Sequence, residues 1–569
     1  MSLIQKNLKI MLRQFCIVVV SLVFLGSCGK KNSGGMEDGD KKVFRYNQAE
    51  GLNSLDPAFA RNQANTWATT QLYNGLFELS NDLFVHPALA DTWNISPDGK
   101  QYTINLKKGI YFHNDPSFAD GKGREVVASD FVYSFNRILD QKTASPGAWV
   151  FNDKVLKDAN GNPSDTCFKA VNKYTLKIYL SRPFPAFLQI LSMPYTFVVP
   201  KEAVDKYGKD FSSHPVGTGA FSFKSWEVGN SLIMVKNGNY WKRDDRGRQL
   251  PYLDAVQVSF IADRGQEFLT FQQGKLDFVS GLDDNSKDLI LNRDGSIKKD
   301  FKDKFIVQKV PYLNTEYVGF QLDPKLYEDK NHPFFNKKVR QAMSYAINRE
   351  EMVAYVLNNL GTPGTSGFVP AALPSFDKEK VKGYGYDPDK AAQLLKEAGF
   401  PNGKGLPEIT IYSTAQSKAF LEYMQKQWAN IGVKVEINLN QAATHLDLVN
   451  NGKVNFFRAS WTGDYPDAEN FLSLFYSKNF TPAGPNKTHF SNAEFDKLFE
   501  QSLTENDGWK RFDIYQRMDQ IIMDEAPVIV LFYDEVLRLT QNNVIGLDTD
   551  AMNILKLERA DKMKGELQQ

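Results

Sequence analysis

Cysteine is scarce in this chain: 569 residues hold three, Cys16, Cys28 and Cys167. The first two fall in the N-terminal leader region, so Cys167 has no partner. No intrachain disulfide is available, and stability has to come from core burial. A long hydrophobic run is missing as well. The apolar stretch from Phe15 to Leu25 is about eleven residues, against the roughly 20 that a helix needs to cross a hydrocarbon core. It therefore reads as a cleaved secretory signal and not as a transmembrane anchor. Charge of one sign is absent too: 68 Lys and Arg stand against 67 Asp and Glu, which removes the basic excess that nucleic-acid binding uses.

The constellations of common enzymes are also lacking. The six histidines, His86, His113, His214, His332, His445 and His489, include no pair at the i, i+4 spacing of metal ligands. There is no HExxH, no cysteine pair for zinc, no GxSxG and no P-loop. Gly217-Thr218-Gly219 lacks the third glycine of a dinucleotide-binding turn and reads as a tight turn. Asp283-Asp284 and Asp294-Gly295 lack the alternating oxygen ligands of a calcium loop and read as solvated turns. The expectation is a protein with no catalytic residues, no metal and no cofactor.

What is present begins at the N-terminus. Lys6, Lys9 and Arg13 precede the apolar run, and Leu25-Gly26-Ser27-Cys28 closes it, a lipobox-like end. Cleavage after residue 27 would leave Cys28 as the lipidated first residue, tethering the chain to a membrane without embedding it. The following GKKNSGGMEDGDKK, from Gly29 to Lys42, has no apolar periodicity and reads as a flexible tether. The remaining body, about 540 residues, exceeds one compact core and implies several lobes. Aromatic residues make up 13% of the chain, with 24 Tyr and 8 Trp, enough to line a wet site as well as a core.

The body mixes strands and helices. Gln101 to Leu106 alternates as a half-buried strand, with a hairpin expected through Lys107-Lys108-Gly109. Ser129 is a candidate N-cap for a helix burying Phe131, Phe135 and Ile138. Asn336 can cap a helix with Val339, Ala342, Met343 and Ala346 on one face, and Asn348 with Glu351 has the capping-box spacing for the next. Asp387-Pro388 opens a helix that ends at Gly399. Residues 409–411, 416–429 and 433–439 read as strand, helix, strand, a βαβ unit and hence parallel sheet. A further strand, Val454 to Trp461, runs into Thr462-Gly463-Asp464-Tyr465-Pro466-Asp467. In open α/β sheets ligands sit at the carboxyl ends of strands, so this turn is the first candidate site.

These residues carry a resemblance. Leu55-Asp56-Pro57, LYNGLFE (72–78), PALADTWNISPDGKQYTINLKKGIYFHND (87–115), SDFVYSFNRIL (129–139), HPVGTGAF (214–221) and Asn239-Tyr240-Trp241 occur in order. NKKVRQAMSYAINRE (336–350), YDPDKAAQLLKEAGF (386–400) and RASWTGDYPD (458–467) follow. The chain resembles the peptide-type extracellular solute-binding proteins, solute-binding family 5, the oligopeptide- and dipeptide-binding lipoproteins of ABC importers. Nearly the whole mature chain takes part.

The resemblance implies an α/β, two-lobed periplasmic-binding-protein fold that closes over ligand about a two-strand hinge, with an extra domain inserted in lobe I. Its layout would be a signal at 1–27, lipidated Cys28 and tether at 28–42, and lobe I from 43–74, 195–305 and 530–569. The inserted domain would occupy 75–194 and lobe II 306–529. Family members that carry peptides hold the ligand's α-ammonium on an aspartate, and Asp464 matches that position. Such a cation leaves water only if a carboxylate meets it. Asp467 is the competing carboxylate, with a simpler role as a helix N-cap. Arg458 falls where some oligopeptide binders place an arginine near a ligand carboxylate; a salt bridge within its lobe is the other reading. Trp461 and Tyr465 are expected to wall the pocket, and Gly463 to let ligand backbone approach. The loop Arg61-Asn62-Gln63-Ala64-Asn65-Thr66-Trp67 would face the same cleft, with no single ligand contact assigned to it.

The expected function is that of a monomeric, lipid-anchored binder in the cell envelope that captures short peptides and delivers them to an ABC permease and its ATPase subunits. The chain has no nucleotide motif of its own. Two other readings stand beside it. One is a non-peptide cargo such as a nickel chelate or an oligosaccharide on the same fold, and the other is a surface adhesin or peptide-sequestering lipoprotein.

Overall fold

A computed structural model describes residues 41–563. Its backbone is an eleven-stranded sheet. In chain order the strands are β1 (Val43–Asn47), β2 (Phe221–Glu227), β3 (Ser231–Lys236), β4 (Ala255–Ser259), β5 (Phe278–Ser280), β6 (Ile306–Phe320), β7 (Thr362–Pro363), β8 (Ile409–Thr414), β9 (Val435–Asn440), β10 (Phe456–Thr462) and β11 (Val528–Thr540). They lie side by side as β9-β8-β10-β6-β11-β5-β1-β4-β3-β2, with β7 on β11. The expected βαβ unit forms: β8 and β9 are parallel, Ile409 opposite Val435, joined by the helix Lys418–Asn430.

The two halves of the sheet meet through β6 and β11, which run antiparallel and are 15 and 13 residues long. At one end β6 also pairs with β10, Asn314 opposite Thr462. At the other end β11 pairs with β5, Thr540 opposite Phe278. The register between β6 and β11 shifts between Pro311 and Thr315 and again between Glu316 and Tyr317. Irregular pairing at this crossing leaves the ladder weakest where the halves join.

A separate antiparallel sheet takes Ala90–Ile95, Gln101–Leu106, Thr175–Tyr179 and Phe168–Asn172, in that order across the sheet. Here the expected hairpin after Leu106 does not form. Gln101–Leu106 pairs instead with the preceding strand and with Thr175–Tyr179, because that arrangement buries both Tyr102 and Ile104 against the partner Leu176 and Ile178. Ser129 is not the cap of its helix, which spans Ala128–Leu139. The Val127 amide at its entrance donates to Asp130 at 2.9 Å, a carboxylate where the helix dipole favours one. Phe131, Phe135 and Ile138 are buried as expected.

Other caps follow the sequence pattern. Asn336 accepts from the Lys338 amide, Asn348 from Glu351 and Asp387 from Lys390, each within 3.0 Å. The helix Pro388–Glu397 stops before Gly399, whose φ of +93° suits a residue without a Cβ. Among the described residues no helix is long and apolar enough to cross a membrane. The signal, Cys28 and nearly all of the tether lie outside the described residues.

Candidate functional site

β10 ends in the turn from Gly463 to Asp467, which forms one wall of a cleft of about 730 Å³. The turn is anchored at its start, where the Gly463 amide donates to Leu313 O on β6 at 2.7 Å. A Cβ on Gly463 would come within 3.1 Å of the Phe471 ring, so the missing side chain is used by internal packing as well as opening the cleft. Asp467 ends the turn by accepting from the Glu469 amide and the Tyr515 hydroxyl, with Arg511 at 3.5 Å. Those partners occupy Asp467 and leave Asp464 as the carboxylate that opens on the cleft.

Asp464 is exposed toward the cleft but ringed by protein elsewhere. Buried Asn470 holds it: Asn470 Nδ2 donates to Asp464 Oδ2 at 3.3 Å, and Asn470 Oδ1 accepts from the Asp464 amide at 3.1 Å. Loss of surrounding water raises the carboxyl pKa above the usual aspartate value, opposed by the Asn470 amide and the charge of Lys154. No ion pair engages Asp464 among the described residues. Lys154, half-buried against the rings of Trp149 and Phe184, donates instead to Trp149 O at 3.2 Å.

The other sequence-derived residues divide. Tyr465 lines the cleft, but its ring is 5% exposed. It stacks on Trp149 and meets Phe184 edge-on, with its hydroxyl on Glu469. Trp461 stands behind the turn, its indole N–H donating to Asn470 Oδ1 at 3.0 Å, and so steadies the amide that holds Asp464. Arg458 makes the salt bridge within its own half of the molecule: its guanidinium lies 2.7 Å from Glu316, donates to Ser417 at 2.8 Å and covers the Phe420 ring. It is not among the residues lining the cleft.

A second part of the lining comes from the loop between Leu55 and Trp67. Asp56 caps the short turn Pro57–Phe59 and is clamped by Arg137. Asn62 then caps the helix Gln63–Leu72 by accepting from the Asn65 amide. The Trp67 indole ties that helix to Asn553 O at 2.7 Å, joining the loop to the C-terminal segment that also lines the cleft. Arg61, Asn62, Gln63 and Thr66 line the same cleft as Asp464. Among the described residues lining the cleft, Asp464 is the one carboxylate and Arg61 the one cation. The sequence reading assigned no contact to Arg61. Its only local signal is a lone arginine between an Asp-Pro turn and an Asn-capped helix, a pattern shared by many surface loops.

Tyr312, also lining the cleft, lies within the first register shift of β6. Asn314 there donates to Glu316 at 2.9 Å and accepts from the Thr462 hydroxyl at 3.1 Å. Burial and the neighbouring Glu316 push Asp534, on β11, up to about 6. A second cavity of about 430 Å³ adjoins the cleft at Gln189 and Pro466. Among the described residues no cluster of His, Cys, Asp and Glu could hold a metal ion.

The family model "Bacterial extracellular solute-binding proteins, family 5 Middle" matches residues 85–482. The chain belongs to this family. As a family 5 protein it is the solute-binding component of an ABC importer, extracytoplasmic, and not an enzyme. It is 30% identical over 502 residues to the glutathione-binding protein GsiB of Salmonella typhimurium, covering 87% of this chain and 90% of that one. Its fold matches the periplasmic murein tripeptide-binding protein MppA in an unliganded open form with a TM-score of 0.77 and 25% identity, over 93% of this chain and 98% of that one. It matches DppA of Helicobacter pylori, solved with the peptide STSA, with a TM-score of 0.69 and 25% identity, over 92% and 99%. The expected two-lobed α/β fold of the family 5 proteins is thereby met.

Proposed function

We propose that this family 5 protein captures short peptides in the cleft between its lobes, with the α-ammonium on Asp464, and delivers them to a permease driven by separate ATPase subunits. One observation carries the reading: an Asp464 carboxylate open to the cleft, oriented by Asn470 and without an ion pair among the described residues. A cation entering that site exchanges water for a fixed charge-assisted hydrogen bond. Gly463, Tyr465 and, through Asn470, Trp461 shape the wall beside it. Arg458 could reach a ligand only by leaving Glu316. Relatives named for glutathione, murein tripeptide and a bound tetrapeptide support a peptide-type cargo.

The finer layout belongs to the same proposal. Lobe I comprises 43–74, 195–305 and 530–569, the inserted domain 75–194 and lobe II 306–529. The lobes hinge where β6 and β11 lose register, and ligand favours the closed form by its greater affinity for it. Cleavage before Cys28 leaves a lipidated monomer held at the membrane by its tether. Radiolabelled palmitate incorporated by wild type and not by Cys28→Ser checks the anchor.

The experiment for the cargo is native mass spectrometry of the mature domain purified from a peptide-rich medium, beside Asp464→Ala. A ladder of short peptides present on wild type and lost from the variant is the expected result. A single non-peptide mass, such as a nickel chelate or an oligosaccharide, or peptides kept equally by the variant, overturns it.

A further inference from the structure

We propose that Arg61 receives the carboxylate of the ligand, so that the cargo is a short zwitterionic peptide held between Asp464 on one lobe and Arg61 on the other. This rests on the peptide reading of Asp464 and adds to it the second anchor and the requirement for a free C-terminus.

The guanidinium of Arg61 is exposed in the cleft, and no hydrogen bond or ion pair engages it among the described residues. Three cations around the cleft are committed, Arg458 to Glu316, Arg137 to Asp56 and Lys154 to the Trp149 carbonyl beneath two rings, and Arg182, within electrostatic reach of Glu469, does not line the cleft. Arg61 and Asp464 also share a neighbour. Tyr195 lines the cleft; burial raises the pKa of its phenol, Asp464 adds to the rise and Arg61 opposes it. The two charges thus lie within electrostatic reach of one hydroxyl, on walls contributed by different parts of the chain.

The arginine is presented by a stiff loop. Its amide donates to Phe59 O at 2.7 Å, and Asn65 secures the loop from below through Asn53 and Ser54 at 2.9 and 2.8 Å. The helix Gln63–Leu72 begins two residues later, and the positive end of its dipole adds to the attraction for an anion. A guanidinium suits a carboxylate because its planar fork can make two parallel hydrogen bonds. Since the anchors sit on different lobes, a ligand with both termini free bridges them, and one lacking a charged end loses its hold on one wall.

The test compares the mature protein, Arg61→Ala and Asp464→Ala by native mass spectrometry with a tripeptide library offered in three forms: free, C-terminally amidated and N-acetylated. Wild type is expected to prefer the free acids over the amides by about 10- to 100-fold, the range for losing a charge-assisted contact. Arg61→Ala is expected to bind acids and amides alike while still rejecting the N-acetylated set. Because Arg61 is exposed and unpaired, the variant folds, and comparing acid with amide on the same variant removes any general loss of affinity. Retained acid preference in Arg61→Ala, or equal binding of acids and amides by wild type, overturns the assignment and leaves Asp464 standing. Failure of wild type to bind any tripeptide, or indifference to N-acetylation, overturns the reading beneath it.

Discussion

Asn470 and Asp464 are joined twice. The Asn470 side-chain amide donates to the Asp464 carboxylate at 3.3 Å while its carbonyl oxygen accepts from the Asp464 backbone at 3.1 Å. The same oxygen accepts from Trp461 at 3.0 Å, so one buried amide sets backbone, carboxylate and supporting indole together. Replacing it by alanine leaves an indole N–H and a backbone N–H unpaired, at a cost of about 1–3 kcal/mol. Asn470→Ala is expected to lower stability by that amount in urea unfolding and to weaken peptide binding about tenfold. Wild-type affinity in this variant, measured by calorimetry, would show that Asp464 needs no support.

Peptide affinity should depend on pH through Asp464. Its pKa is raised from 3.8 by desolvation, so acidification neutralises it earlier than an exposed aspartate. Affinity for peptides with a free amine should be flat near neutrality and fall on acidification, with a midpoint above 3.8. In Asp464→Asn the step should vanish. Calorimetry over an acid series checks this, and a step that survives in Asp464→Asn assigns it to another group, of which Glu469, raised to about 7 by burial, is the nearest candidate.

The pair Asp56–Arg137 fastens the Arg61 loop to the helix Ala128–Leu139 and is nearly removed from solvent. Truncating one partner strands the other charge, which costs about 3–5 kcal/mol. Asp56→Ala should therefore be strongly destabilised in equilibrium unfolding. The double variant Asp56→Leu with Arg137→Met should recover much of that loss, because it removes both charges together.

Asp519 is buried and accepts the amides of Phe368 and Val369 at 2.7 and 3.2 Å. Burial nevertheless raises its pKa from 3.8 to about 7. The folded chain therefore keeps a proton that the unfolded chain has released, and folding takes up a proton between these values. Stability attributable to this group falls as pH rises from about 4 to about 7 and is level above, at about 1.4 kcal/mol for each unit of difference. Asp519→Asn should show a flatter melting temperature across that window than wild type. Parallel curves would remove Asp519 as the source of the slope.

The helices and the parallel pair were legible because their signals are local. Asn336, Asn348 and Asp387 cap the helices that follow them, and the alternation of Val435, Ile437 and Leu439 marks a strand whatever it pairs with. Ser129 failed as a cap because the carboxylate of Asp130 already serves the helix entrance. The hairpin after Leu106 failed because a strand's partner is chosen by packing across the sheet and not by the nearest turn.

The sequence by itself determined where Asn336, Asn348 and Asp387 start their helices, that residues 409 to 440 form a parallel βαβ unit, and that a strand delivers Asp464 into a polar turn. These follow from residue types and short spacings. Only the tertiary structure decided what each charge meets. It gave Arg458 to Glu316, put the Tyr465 ring between Trp149 and Phe184, occupied Asp467 with Tyr515 and Arg511, and brought Arg61, without an ion pair among the described residues, into the same cleft as Asp464. A guanidinium reads the same in sequence whether it is neutralised or free, because its role depends on which distant carboxylate the fold brings within a few ångströms.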